Sequence, residues 1–208
     1  MKVVLYGASG MIGSRILSEM LSRGHQVTAV VRNPHKVTAP GAVVVQGDIT
    51  DSASVAATAK GQDAAISAYA PPAAQAGLLQ DAIRALLAGL EKAGLKRLLV
   101  VGGAGSLEVA PGVQLVDSPQ FPAAWKGIAL AHRDVLPILK DSSLDWSYQS
   151  PAALIQPGER TGSFRLGTTQ LVTDAKGESR ISAEDFAVAM VDELEMPQHL
   201  RRQFTAAY

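Results

Sequence analysis

Apolar residues follow two alternating rhythms along this chain. Short continuous runs rich in β-branched residues alternate with longer stretches in which apolar residues recur every three or four positions. The runs at 3–6, 27–31, 43–45, 64–68, 97–101 and 144–149 predict strands, most of them closed by glycine, proline or a turn such as Asn33-Pro34 or Gly47-Asp48. Ile12, Ile16, Leu17, Met20 and Leu21 predict a first helix that begins near Gly10 and stops at Gly24. An Ala-rich helix follows Asp51 or Ser52 and ends near Gly61. Leu78, Leu79, Ile83, Leu86, Leu87 and Leu90 mark the longest helix, ending at Gly94. Residues 123–140 read as another, with Pro137 as a kink near its end. Ser182, followed by Glu184 and Asp185, caps a last helix before a final strand around Phe204.

Alternation of this kind, with strands apolar on both faces, predicts an α/β fold: a doubly wound parallel sheet covered by helices. The chain is expected to form one domain over 1–208 with a small irregular C-terminal region. Two stretches break the rhythm. Residues 102–122 hold glycines, three prolines and no helical period, which predicts a long functional loop. Residues 151–171, punctuated by Pro157, Gly158, Gly162 and Gly167, offer only short β-like pieces. Ligands of such sheets bind at the carboxyl ends of the strands, so both segments are expected to wall a substrate pocket.

Candidate chemistry begins at the turn between the first strand and the first helix. Gly7-Ala8-Ser9-Gly10-Met11-Ile12-Gly13 spells G-x-x-G-x-x-G in the place where such a loop cradles a dinucleotide pyrophosphate. Unpaired N–H groups of Gly10, Met11 and Ile12 are expected to face the phosphates at the positive end of the helix dipole. The end of the second strand selects the cofactor. A carboxylate about 20 residues past the glycines accepts from the ribose 2′-hydroxyl of NAD. Here Arg32 stands nineteen residues after Gly13, with His35 and Lys36 behind it. A guanidinium pairs with a 2′-phosphate, so NADP(H) is expected in preference to NAD(H). Asp48 and Ile49 follow the third strand, where they are placed to meet adenine, and Ser67, Ala68 and Tyr69 end the fourth beside the crevice.

Composition narrows the classes further. Over 208 residues, 19 basic side chains balance 19 acidic ones, which argues against a nucleic-acid partner. The 47% apolar content excludes a disordered chain, and the absence of cysteine excludes disulfides, zinc–thiolate sites, iron–sulfur clusters and thiol nucleophiles. No residue group is read as a metal site. No apolar run approaches the roughly 20 residues of a membrane span. The opening apolar residues are interrupted by Gly7, Gly10 and Gly13 without a cleavage signal, so a cytoplasmic protein is expected.

KVVLYGASGMIG at 2–13, VVRNP at 30–34, GDITD at 47–51, VGGAGSLEV at 101–109, SPAALIQPGERTG at 150–162 and ISAEDFAVA at 181–189 together resemble an atypical short-chain dehydrogenase/reductase. The nearest group is the NmrA-like NAD(P)H-binding proteins, which include NADH-flavin reductases and biliverdin-IXβ reductase. The resemblance implies a Rossmann fold over essentially the whole chain. It also implies pyrophosphate contacts at Gly7, Ser9, Gly10, Met11 and Ile12, and a 2′-phosphate at Arg32 and Lys36. Asp48 and Ile49 would meet adenine, and Ser67, Ala68 and Tyr69 the nicotinamide ribose. Gly103 and Ser106 would lie near the nicotinamide, with Pro151 and Ala152 on its carboxamide side.

Short-chain dehydrogenases use a Tyr-x-x-x-Lys pair as proton donor, and this chain has none. Tyr6, Tyr69 and Tyr148 are followed four residues later by Gly10, Ala73 and Ala152, and Tyr208 closes the sequence. The remaining candidates are Ser106 as the catalytic residue and Lys126, which is placed to touch ribose hydroxyls. His132 lacks a visible partner, and Trp125 and Phe121 offer a stacking face or core packing. That shortage suits hydride transfer from NADPH to a flavin, quinone or similar conjugated acceptor, whose ring system delocalises the charge while solvent supplies the proton. The alternative is an NADP(H)-binding redox sensor that regulates a partner without turnover. The C-terminal region is too short for the sugar-binding domain of an epimerase. Monomer and homodimer stay equally open.

Overall fold

Strands arise where small and β-branched apolar residues run without interruption, because both faces of the sheet are covered. In the computed structural model, which describes residues 1–208, five strands alternate with three helices in the first half of the chain. They are β1 (Lys2–Tyr6), α1 (Met11–Ser22), β2 (Gln26–Val31), β3 (Val43–Gln46), α2 (Ser52–Ala59), β4 (Ala64–Ser67), α3 (Leu78–Ala93) and β5 (Arg97–Val101). A short hairpin of β6 (Glu108–Ala110) and β7 (Val113–Gln114) follows, then α4 (Ala123–Arg133), α5 (Val135–Lys140) and β8 (Asp145–Ser150). The C-terminal part adds β9 (Leu154–Gln156), β10 (Arg165–Gly167), β11 (Arg180–Ser182), α6 (Ala183–Glu195) and β12 (Arg202–Ala207).

Eight strands form the main sheet in the order β3-β2-β1-β4-β5-β8-β12-β10. Every pairing is parallel except β10 with β12. The chain therefore winds outward from β1 to β3, then returns across β1 to β4 and winds the other way. The doubly wound Rossmann architecture read from the sequence is the one observed, and its switch point lies between β1 and β4. Alternate side chains feed two cores. Val3, Leu5, Ala29, Ile66 and Leu99 pack with Ile16, Met20, Phe186 and Met190 of α1 and α6. Val4, Tyr6, Ala65, Leu98 and Trp146 pack with Ile83, Leu86 and Leu139 on the opposite face. Each fully buried Leu or Ile contributes roughly 1.5–3 kcal/mol against exposure.

Helix ends follow local chemistry. Asp51 caps α2 by accepting from the Ala53 N–H at 2.9 Å, and Gly94 closes α3 in the left-handed conformation. Ser182 caps α6 through the Asp185 N–H at 2.9 Å, with Glu184 and Asp185 in the first turn.

Three sequence expectations need correction. The 123–140 stretch is two helices that meet at Asp134, not one helix kinked at Pro137. Proline removes the bond to the carbonyl four residues before it, so the break falls upstream and leaves Pro137 inside the first turn of α5. The 102–122 segment is not structureless. It contains two 3₁₀ turns, at Ala104–Ser106 and Leu115–Asp117, with the β6–β7 hairpin between them. Finally, 151–171 does not form one wall. Residues 158–162 turn away to bind α1 and α6, and only 169–171 meet the hairpin, where Glu108 N–H donates to Thr169 O and Leu171 N–H to Glu108 O.

Candidate functional site

A cleft of about 470 Å³ opens at the carboxyl ends of β1, β2, β3 and β4, over the switch point. Its floor is the glycine turn. Gly7 adopts φ +83°, and a Cβ on it would lie 2.6 Å from Ala68 backbone atoms. A Cβ at Gly13 would lie 2.1 Å from the Gly7 carbonyl oxygen. Only glycine lets α1 seat this closely on the turn.

The N-terminus of α1 has no side-chain cap and no acid in its first turn. Its ladder starts with Ser14 N–H to Gly10 O at 2.9 Å, leaving the N–H groups of Met11, Ile12 and Gly13 without backbone partners. Gly10 is not in that free set, contrary to the sequence expectation, because its N–H closes the turn onto Gly7 O at 3.0 Å. An uncapped helix end with three free donors and no competing carboxylate suits an anion such as a pyrophosphate.

Arg32 and Lys36 are exposed on the cleft at the end of β2, beside Asn33. Across from them Asp48 is held by Thr50, whose N–H and hydroxyl donate to Oδ1 at 2.9 and 2.8 Å. That backbone donor, with help from the Thr50 hydroxyl and the Arg32 charge, keeps the Asp48 carboxyl below its ordinary range against the push of partial burial. Partial burial raises the Tyr69 phenol, with the Arg32 charge pulling the other way. Ile49 is buried on the same wall.

The cleft gathers Gly7, Ser9, Gly10, Arg32, Lys36, Asp48, Ile49, Ala68 and Tyr69 from the expected set. Met11 and Ile12 stand just beyond, on the first turn of α1. The others lie off the cleft. Ser67 is 1% exposed with a hydroxyl that has no partner, and Pro151 and Ala152 are buried at the end of β8. Lys126 is exposed on α4. Ser106 is 3% exposed, and its hydroxyl donates to Gly103 O at 3.0 Å while accepting from Gln203 Nε2 at 2.9 Å. Gln203 also donates to Ser150 Oγ at 2.9 Å. The serine thus ties the turn after β5 to the end of β8 and the start of β12.

Sequence reading missed the outer wall: Ala70, Pro72, Gln75, Leu78 and Asp81. The signal was available, since any segment that leaves the carboxyl end of β4 must pass the switch point. Gln203 carried no such signal, being distant in sequence from everything it holds.

The doubly wound sheet and the glycine turn at its switch point define a dinucleotide-binding protein. Residues 7–197 match the family model described as NAD(P)H-binding, and the chain belongs to that family, whose cofactor is a nicotinamide dinucleotide. The Bacillus subtilis protein YwnB is 41% identical over 99% of this chain and 97% of its own. Among solved structures, a protein of Burkholderia pseudomallei provisionally named as exported is 52% identical, covers 100% of both chains and superposes with a TM-score of 0.93. A Streptococcus pneumoniae protein provisionally named an NADH-flavin reductase is 33% identical, with 100% and 99% coverage and a TM-score of 0.90. No helix is long and apolar enough to cross a membrane.

Proposed function

We propose that the protein is an NADPH-dependent reductase of flavins, quinones or related conjugated acceptors. The observation that carries this reading is the joint presence, on one cleft, of two exposed cations at the end of β2 and the uncapped N-terminus of α1. When bound, the dinucleotide supplies the hydride.

The chain's own residues bind and orient. The N–H groups of α1, with Gly7, Ser9 and Gly10, take the pyrophosphate. Arg32 and Lys36 neutralise a 2′-phosphate, and Asp48 and Ile49 hold adenine by hydrogen bond and packing. Ala68 and Tyr69 line the path towards the nicotinamide, where Gly103, Pro151 and Ala152 stand at the ends of β5 and β8. The 108–114 hairpin and the 169–171 strip form the acceptor side.

No side chain there is a ready acid. Tyr148 is fully buried, its hydroxyl donates to His132 O at 2.7 Å, and burial drives its phenol far up. The Ser106 hydroxyl is committed to Gly103. The reading therefore assigns protonation of the acceptor to solvent and leaves the protein the task of holding two planar rings together. The name of the Streptococcus pneumoniae relative supports the acceptor class, whereas Arg32 supports NADPH over the NADH in that name.

Purified protein mixed with NADPH and excess FMN, or with a benzoquinone, is expected to oxidise NADPH well above the protein-free rate. Tight NADPH binding with no oxidation by either acceptor would instead favour a cofactor sensor.

A further inference from the structure

β5 and β8 are parallel neighbours, so the chain between them must return from the carboxyl edge of the sheet to its amino edge. α4 and α5 make that return, and the first turn of α4 therefore stands at the carboxyl edge. One stripe of α4 faces the turn that leaves β5. A Cβ built on Gly103 would lie 2.8 Å from His132 Cβ, and one on Gly105 would lie 2.9 Å from Ala129 Cβ. Trp125 precedes these two helix residues by seven and four positions, which places it on the same stripe one turn further out. The helix also contacts the Ala73–Gln75 turn, whose Gln75 lines the dinucleotide cleft, and the Leu115–Asp117 turn that follows the β6–β7 hairpin.

The stripe is covered at its inner end and bare at its outer one. His132 is buried and Ala129 half-buried, whereas Trp125 is 64% exposed. It is the one exposed ring among the phenylalanines, tryptophans and tyrosines, the others being buried or half-buried. A helical side chain leans toward the N-terminus of its own helix, so the indole projects past Gly105 toward the carboxyl edge. A large apolar face is thus held by a helix at the mouth of the site, beyond the adenosine cleft, and turned to solvent.

We propose that Trp125 is the stacking platform for the hydride acceptor, and that it selects fused-ring acceptors such as a flavin over single-ring ones. This inference rests on the reductase reading above and adds a residue and a selectivity to it. The place argues for the occupant. The acceptor is the reactant that enters from solvent, and the exits of β4 and β5 that α4 touches are where it must meet the dinucleotide. A planar conjugated ring offers an indole offset stacking across its face. That gain grows with the area shared, so a fused ring system gains more than a single ring.

Acceptor binding is read on protein saturated with NADP+, which cannot reduce FMN. Stacking on an indole quenches flavin fluorescence, and the chain's other tryptophan, Trp146, is sealed in the core at 1% exposure. FMN emission is expected to fall as wild-type protein is added. Trp125→Phe keeps a ring and should retain part of the quenching, whereas Trp125→Ala should lose nearly all of it. In turnover with NADPH, Trp125→Ala should raise KM for FMN roughly tenfold and KM for a benzoquinone no more than about threefold. Its affinity for NADPH should stay within about twofold of the wild type, since the side chain carries no core packing. Unchanged quenching and KM in the Ala variant, equal rises for both acceptors, or a parallel loss of NADPH affinity would overturn the assignment while leaving the cofactor reading intact. Indole emission that shifts with protein concentration and not with FMN would give the face to a second copy of the chain instead. A wild-type protein that binds NADPH but reduces no acceptor would overturn the reductase reading, and Trp125's role with it.

Discussion

Arg32 concentrates the cofactor question in one side chain. It is exposed at the end of β2, close enough to Asp48 and Tyr69 for its charge to act on both, and nothing on the protein consumes its fork of donors. An exposed guanidinium facing a carboxylate across a cleft is worth little by itself. Facing a phosphate dianion it forms short, charge-assisted bonds worth about 1.5–3 kcal/mol. Arg32→Ala should therefore weaken NADPH by at least ~1.5 kcal/mol, more than tenfold, with NADH nearly unaffected. Arg32→Asp should reverse the preference by repelling the 2′-phosphate and offering an acceptor to a 2′-hydroxyl. Titration of both nucleotides against both variants checks this, and equal losses for the two would remove Arg32 from the recognition of phosphate. At this scale the sequence was readable wherever a residue acts through its neighbours in the chain. Gly7, Gly13 and Arg32 stand at fixed offsets from strand ends. The surroundings of Ser106 were not readable in this way, because its partners, Gly103 apart, lie 44 and 97 positions away at Ser150 and Gln203.

Between elements, the blocks at 157–162 and 181–186 act as a clasp. Ser182 Oγ donates to Glu159 O at 2.7 Å, and Gly158 N–H donates to Glu184 at 2.7 Å. Arg160 makes two bonds to the buried Glu19 of α1, at 2.7 and 2.8 Å. Asp185 is 0% exposed and has no cationic partner. It accepts from the Thr161 hydroxyl, the Gly162 N–H at 2.8 Å and the Tyr208 hydroxyl at 2.8 Å. Removing the carboxylate takes away three hydrogen bonds to a charged acceptor, two of them from the exposed Thr161 and Gly162, and bonds of that kind are worth about 1.5–3 kcal/mol each. Asp185→Ala should thus lower unfolding free energy by at least ~2 kcal/mol in urea titrations. It should also speed trypsin cleavage after Arg160, and unchanged protection of that site would show that the clasp is held elsewhere. The helices and strands of the first hundred residues were legible because each is a local pattern with its own punctuation. The clasp, the β6–β7 hairpin and the break at Asp134 were not. A three-residue strand has too few positions to show a period, and the fit of 158–162 depends on contacts 23 to 26 positions away in α6 and 141 positions away in α1.

Across the whole molecule the two ends of the sheet divide the work. The carboxyl end is open and polar, while the amino end is locked by one buried carboxylate. Glu193 of α6, 4% exposed, accepts from Arg97 Nη2 of β5 at 3.1 Å and from Ser147 Oγ of β8 at 2.8 Å. The Gln198 and His199 N–H groups, each at 3.0 Å, and the His199 ring at 2.8 Å complete the set. Burial pushes this carboxyl up, but the donors outweigh it and hold it below the ordinary glutamate range. Glu19 is held low chiefly by Arg160, and in Glu184 and Glu195 donors likewise overcome burial. A group with a depressed folded-state pKa stabilises the fold above its unfolded value, near 4.3 for glutamate, and that stability is lost as pH falls through the folded value. Stability should therefore be nearly level from pH 7 to 5 and drop steeply below about pH 4.5. Glu193→Gln leaves the Arg97 charge buried without its counter-ion, which should cost about 3 kcal/mol at pH 7. Because the variant has lost one titrating carboxyl, its stability should also fall less steeply with acid than the wild type's. Urea unfolding of both proteins at pH 7, 5, 4 and 3 measures the two slopes, and parallel curves would show that the lock at the amino end contributes nothing to the acid sensitivity of the fold.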